Sequence, residues 1–185
     1  MPLTFDENEV QGLKRLAGKS CMKFLGYVLN LDSMEISDSL AEPGSVDKLE
    51  SEILYVLLSH YAKSKPISLS GTLVKFADLP GGGAYEQAFH RRAAQPVAEA
   101  FGDKPEKLVE CGERLGGRTL TFGDCSMEFS ALPHVPLTFI VWQRGEFPAE
   151  ASVLFDKSAS HYLPTEDLAV LGELTSARLL RGFIP

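Results

Sequence analysis

Three cysteines in 185 residues are too few and too far apart to staple a fold. Cys21, Cys111 and Cys125 form no CxxC pair, which argues against a zinc ribbon or an iron–sulfur cluster ligated within this chain. An odd number without a framework fits a reducing compartment, and each thiol reads as a small core side chain rather than a nucleophile. Long apolar runs are missing as well, and no stretch approaches the length of a membrane span. The opening MPLTFDENEVQG is polar and acidic where a signal peptide is basic and then apolar. Positive charge is in deficit, with 18 Lys and Arg against 25 Asp and Glu for a net charge of −7. That balance lacks the concentrated positive field that nucleic acid or an anionic membrane surface requires. Signature motifs are absent too: there is no GxSxG, no HExxH, no GxxxxGK[ST], and no SxxK with its partner motifs.

What is present is an ordinary globular mixture, 44% apolar and 23% charged, long enough to bury a core. It reads as one cytoplasmic domain spanning residues 1–185. The spacing of Val10, Leu13, Leu16 and Ala17 predicts a helix over 6–18, capped by Asp6 and stopped by Gly18. KFLGYVLN followed by DSMEIS predicts a hairpin turning near Asp32 and Ser33, and EPGS predicts a turn. A helix from Ser45 or Val46 to about Ala62 is predicted to bury Leu49, Ile53, Val56, Leu57 and Tyr61. TLVKFADL predicts a strand ended by three glycines, and AYEQAFHRRAAQPVAEAFG a helix that Pro96 restarts or kinks. A short helix over 105–115 stops at Gly116 and Gly117. Four β-type runs follow, of which Val135–Trp142 is apolar enough for a central strand. A final helix opens at Pro164 or Thr165, with Glu166 and Asp167 at its positive end, and stops at Gly182. Partial segregation of helices from strands predicts an α+β fold, an antiparallel or mixed sheet flanked by helices.

Two places carry more chemistry than turns or core need. The first is LPGGGAYEQAFHRR, residues 79–92, a strand–glycine–helix junction where backbone N–H groups can hold an anion. It lacks the last glycine of the dinucleotide fingerprint, and the plain reading is a turn needing positive φ. Arg91 and Arg92 lie eight and nine residues past Gly83, about 12 Å along a helix, out of reach of a short ligand at the helix start. The second place is residues 142–167, where Trp142, Glu146, Asp156, His161 and Tyr162 cluster round strand ends and loops. His134, framed by two prolines in ALPHVPL, is a further candidate. The expected ligand pocket unites Gly81, Gly82, Gly83 and Tyr85 with Trp142, Glu146, Asp156 and His161. The candidate catalytic set is His134 or His161 as base, oriented by Glu146 or Asp156. No histidine spacing indicates a metal site.

The spaced motifs HYAKSKPISLSGTLVKFADLPGGGAY, LGG, GDCSMEFSALPHVPL and WQRGEFPAEASVLFDKSASHYLPTEDL, in this order over roughly 55–170, resemble the prokaryotic family Domain of Unknown Function 3786. Some members of that family carry an added cysteine-rich iron–sulfur segment and come from anaerobes. The resemblance therefore implies, by association, a place in anaerobic redox or one-carbon cofactor metabolism. This chain lacks the cysteine-rich segment, so any cluster partner would act in trans. It also has QRGE at 143–146 where the pattern is more acidic before Phe147-Pro148, which weakens a metal role for that loop. The leading expectation is an accessory protein for a small organic ligand or cofactor. The alternatives are a hydrolase or transferase with a His–carboxylate pair, and an interaction module for an iron–sulfur partner protein. The cofactor is unknown, and neither nucleic acid nor a membrane is expected as a partner.

Overall fold

The computed structural model describes residues 3–41 and 46–183. The turn expected at EPGS lies outside the described residues. The first helix, α1 (Glu7–Ala17), starts in a capping box between Asp6 and Glu9, and Gly18 at φ 63° closes it. A three-stranded antiparallel sheet follows: β1 (Cys21–Phe24), β2 (Tyr27–Asn30) and β3 (Ile36–Asp38). The predicted run KFLGYVLN is thus cut in two. Leu25 and Gly26 both take positive φ, 47° and 81°, in a two-residue hairpin. Leucine conceals such a turn in the sequence; here its side chain is buried while its backbone is left-handed.

The helix α2 (Lys48–Ala62) begins at Asp47, whose side chain accepts from the Glu50 N–H. Its buried stripe is rotated from the predicted one. Leu54, Leu57, Leu58 and Tyr61 are buried, whereas Leu49 is 68% exposed and Val56 is exposed. The helix packs on α1 through Gly12, where an added Cβ would lie 2.0 Å from the Ala62 carbonyl oxygen.

The larger sheet comprises β4 (Leu73–Lys75), β5 (Arg118–Leu120), β6 (Cys125–Leu132), β7 (Val135–Trp142) and β8 (Glu150–Asp156), in the order β4-β8-β7-β6-β5 and antiparallel throughout. As predicted, β7 is central and nearly wholly buried. The register aligns Met127, Phe139 and Val153 in one row, and Phe129, Leu137 and Phe155 in the next, all on the face that carries the helices. With two antiparallel sheets and helices packed on them, the fold is α+β.

β4 is shorter than TLVKFADL implies: at Phe76 the chain leaves the sheet in a 3₁₀ turn, Phe76–Asp78, and after Pro80 makes another, Gly82–Ala84. The helical run then divides into α3 (Glu86–Phe89), a π-turn (His90–Ala94) and α4 (Gln95–Phe101). Pro96 supplies the cause, since it has no N–H and its ring crowds the carbonyl of Arg92, so the turn before it widens. After α5 (Glu106–Arg114) and the single turn α6 (Ala159–Tyr162) comes α7 (Thr165–Phe183), which passes through Gly182 rather than stopping there. Among the described residues, no helix is long and apolar enough to cross a membrane.

One end of α7 locks the small sheet in place. Arg178, 1% exposed, donates to Asp38 through both terminal nitrogens, one bond measuring 2.6 Å. It also donates through Nε to the Leu25 carbonyl at 3.0 Å, and its guanidinium lies 4.2 Å from the centroid of the Tyr27 ring. The Tyr27 hydroxyl donates to Glu50, which Arg181 approaches at 2.9 Å. Burial would raise the Asp38 pKa, but the bonds from Arg178 and the Leu40 N–H lower it on balance.

Candidate functional site

The glycines solve two different steric problems. Gly81 takes φ 76° with open space where a Cβ would stand, so it supplies a left-handed turn. Gly82 has no positive φ; an added Cβ would meet the Phe76 carbonyl oxygen at 1.9 Å, so it lets one 3₁₀ turn fold back on the other. Gly83 meets neither constraint. The folded-back loop is clipped to the first residue of α7 by the Thr165 hydroxyl, which donates to the Pro80 carbonyl at 2.7 Å.

Between this loop and α7 lies a hollow of about 330 Å³. Phe76, Ala169 and Val170 give it an apolar floor, and Tyr85 forms one wall. Arg92 reaches this wall from two helical turns away. Its guanidinium donates to the Tyr85 hydroxyl at 2.5 Å and stands 5.8 Å from the ring centroid. The expectation that Arg92 falls short of the helix start is therefore corrected: two long side chains span the gap that the backbone rise leaves. Arg92 is also 3.8 Å from Glu173, a loose pair. Burial pushes the Glu173 carboxyl up, and the guanidinium only partly offsets this. Glu166, in the first turn of α7, completes the polar rim. A ligand with a flat apolar body and a polar end would meet an aromatic wall, a guanidinium and two carboxylates here.

The other sequence candidates are placed elsewhere, and the single pocket expected round all of them is not formed. Trp142, 39% exposed, and Glu146 border a separate hollow with Asp124 and Phe147 beyond the end of β7. Asp156 is buried and its carboxylate is already occupied. It accepts from Ser70 N and Oγ (2.9 and 2.8 Å), Gly71 N (2.8 Å) and Ser158 N and Oγ (2.9 and 2.5 Å). Burial opposes its ionisation, but the donors at Ser158 and Ser70 outweigh that and lower its pKa to about 2. Asp156 is a clamp for two loops. His161 bonds through Nε2 to the Lys65 carbonyl at 2.9 Å and sets its ring edge-on to Tyr162. His134, at φ 63° in the β6–β7 turn, stacks parallel to the Tyr162 ring, and Tyr162 in turn bonds both backbone groups of Ile67. The two histidines therefore brace an aromatic post that holds residues 64–67, with neither Glu146 nor Asp156 as a hydrogen-bond partner.

A histidine–carboxylate contact does occur, but between residues the sequence did not single out as a pair. His60 Nδ1 lies 2.5 Å from Asp167 Oδ2, joining the last turn of α2 to the first turn of α7, and neither borders the hollows described. All three cysteines are free, and burial pushes the thiols of Cys111 and Cys125 up. Among the described residues, no group of three or more His, Cys, Asp or Glu side chains is placed to hold a metal ion.

A third hollow, a trough of about 530 Å³ that meets the one under α7 at Phe76, runs along the α3–α4 helix beside β8. The model of one protein family, described as Domain of unknown function (DUF3786), matches residues 10–178. No curated protein and no solved structure matches the chain significantly.

Proposed function

The chain belongs to the family described as Domain of unknown function (DUF3786), and from that premise we propose that it is an accessory protein that binds a small organic ligand in the hollow between Pro80–Tyr85 and α7. One observation carries the reading: an apolar floor and an aromatic wall converge with Arg92, Glu166 and Glu173, which among the described residues form one loose ion pair, Arg92 with Glu173. Gly81 and Gly82 are explained by the same hollow, because together they fold the loop that forms its lip. The ligand class that fits is a planar molecule with an anionic group for Arg92 or a cationic one for the carboxylates. A cofactor of anaerobic redox or one-carbon metabolism falls within that class, and the family resemblance supports that choice.

A hydrolase or transferase built on His134, His161, Glu146 and Asp156 has less support, because Asp156 and His161 are committed to backbone contacts. Docking to an iron–sulfur partner has no comparable feature in its favour. Native mass spectrometry and absorbance of protein purified without oxygen test the reading. The expected result is a retained small molecule that Tyr85→Ala releases while the chain stays folded. An apo mass in the wild type, with no melting-temperature rise across a panel of aromatic acids, amines and cofactors, would overturn it.

A further inference from the structure

The face that α7 turns to the hollow has a regular spacing. Glu166, Ala169, Val170 and Glu173 all border it, at positions i, i+3, i+4 and i+7 of one helix face. The two acidic residues are therefore two turns apart, roughly 10 Å along the axis, with an apolar strip between them. Glu166 follows Thr165, whose hydroxyl donates to the Pro80 carbonyl at 2.7 Å, so it stands where the glycine loop meets the helix. Glu173 stands at the other end, beside Arg92. The Tyr85 and Phe76 rings, 6.2 Å apart between centroids, complete the apolar middle.

The two ends offer a ligand opposite charges. At one end the Arg92 guanidinium donates to the Tyr85 hydroxyl at 2.5 Å, but its distance of 3.8 Å to Glu173 is beyond hydrogen-bond range. A guanidinium has five N–H donors and can serve two acids along different edges; the Arg92 side chain is 60% exposed, so much of its fork is open. At the other end Glu166 is exposed and, among the described residues, joins no ion pair. One guanidinium against two carboxylates leaves the hollow with a single negative charge in excess. A ligand bearing only an anionic group would reach Arg92 yet raise that excess. A ligand bearing only a cationic group would answer Glu166 and leave the guanidinium unused.

We infer that the hollow takes a molecule charged at both ends. Its cationic group meets Glu166, its anionic group takes the open edge of Arg92, and its flat apolar body lies over Ala169 and Val170 against Tyr85. Such a ligand pairs both ends and leaves the net charge of the hollow as it was. This inference rests on the reading of the hollow as a ligand site and narrows the ligand to an aryl zwitterion with amine and acid at opposite ends. An α-amino acid is outside the class, because its two charges share one carbon and cannot reach both ends.

The test is calorimetry on the full chain with four probes built on one benzene ring. They are para-(aminomethyl)phenylacetic acid, charged at both ends; para-methylbenzylamine, cationic only; para-methylphenylacetic acid, anionic only; and phenylalanine, with both charges at one end. The first is expected to bind at least roughly tenfold more tightly than each of the others. Glu166→Gln should weaken the first probe and the amine together, and Arg92→Gln the first probe and the acid together. Both side chains are exposed, so the melting transition is expected to stay near that of the wild type. Equal binding by a singly charged probe or by phenylalanine would overturn the inference while leaving the hollow a ligand site. So would a first probe that neither variant weakens. Failure of all four to bind would overturn it too, and only an apo mass in native mass spectrometry beside that failure would remove the underlying reading as well.

Discussion

The two ends of α7 treat charge in opposite ways. Near the C-terminal end Arg178 is fully buried and every direction round it is filled: Asp38, the Leu25 carbonyl and the Tyr27 ring. In the N-terminal half, Glu166 and Glu173 border a hollow, and the Arg92 guanidinium stands 3.8 Å from Glu173. A buried ion with all its partners supplied has nothing left to offer a ligand, and removing one partner strands the other. A half-buried ion with a distant partner contributes little to stability and remains available. Saturation, more than residue type, separates scaffold from candidate site in this molecule.

That contrast can be broken most forcefully at Arg178. Arg178→Met leaves Asp38 buried and unpaired, and the expected loss is about 3–5 kcal/mol in urea unfolding. Adding Asp38→Leu to it should recover much of that loss, because the stranded charge goes too. A double variant no better than the single one would show that packing, rather than charge saturation, decides this end.

Asp156 sharpens the comparison through pH. Its folded pKa of about 2 lies below the ordinary carboxylate value, so its stabilisation is present above roughly pH 4 and is lost as pH falls toward 2. The difference corresponds to roughly 2 kcal/mol. Asp156→Asn should flatten the acid limb of the stability profile by that amount; an unchanged limb would mean that its five donors do not favour the ionised form.

The glycines at the hollow's lip come next. Gly82→Ala is expected to cost about 2 kcal/mol, because the Phe76 carbonyl is backbone and cannot step aside. Gly81→Ala should cost about 1 kcal/mol through its positive φ alone. Gly83→Ala should fall within roughly 0.5 kcal/mol of wild type. Equal effects at all three would erase the distinction between close approach and turn geometry.

The smallest stability change is expected at the loose pair itself. Arg92→Gln or Glu173→Gln should shift stability by less than about 0.5 kcal/mol, yet each should reduce retention of the ligand in native mass spectrometry. A large thermal shift in either would move this pair to the saturated class.

How much of this could be read from the sequence depends on the range of the interaction concerned. Caps and alternation act over a few residues, so α1 with Asp6 and Gly18, the central position of β7 and the antiparallel run from β6 to β8 were legible. The turn at Leu25 was not, because leucine carries no left-handed signal. The stripe of α2 was misassigned because apolar residues surround that helix on several sides, and only its neighbours decide which of them is covered. Asp156 and His161 looked reactive because their partners, Ser70, Gly71 and Lys65, lie 86, 85 and 96 residues away in the chain. Arg92 was within reach of inference: seven residues after Tyr85 it falls on the same helix face, and side-chain length does the rest.

The Arg178 lock also orders events in time. Its partners Leu25 and Asp38 lie 153 and 140 residues earlier. On a ribosome the small sheet therefore emerges long before the residue that neutralises its buried carboxylate, and a chain stalled anywhere in between exposes Asp38 to a core that cannot close round it. The first sheet is completed only once α7 has been made, so the nascent protein stays open to quality control until that helix has emerged.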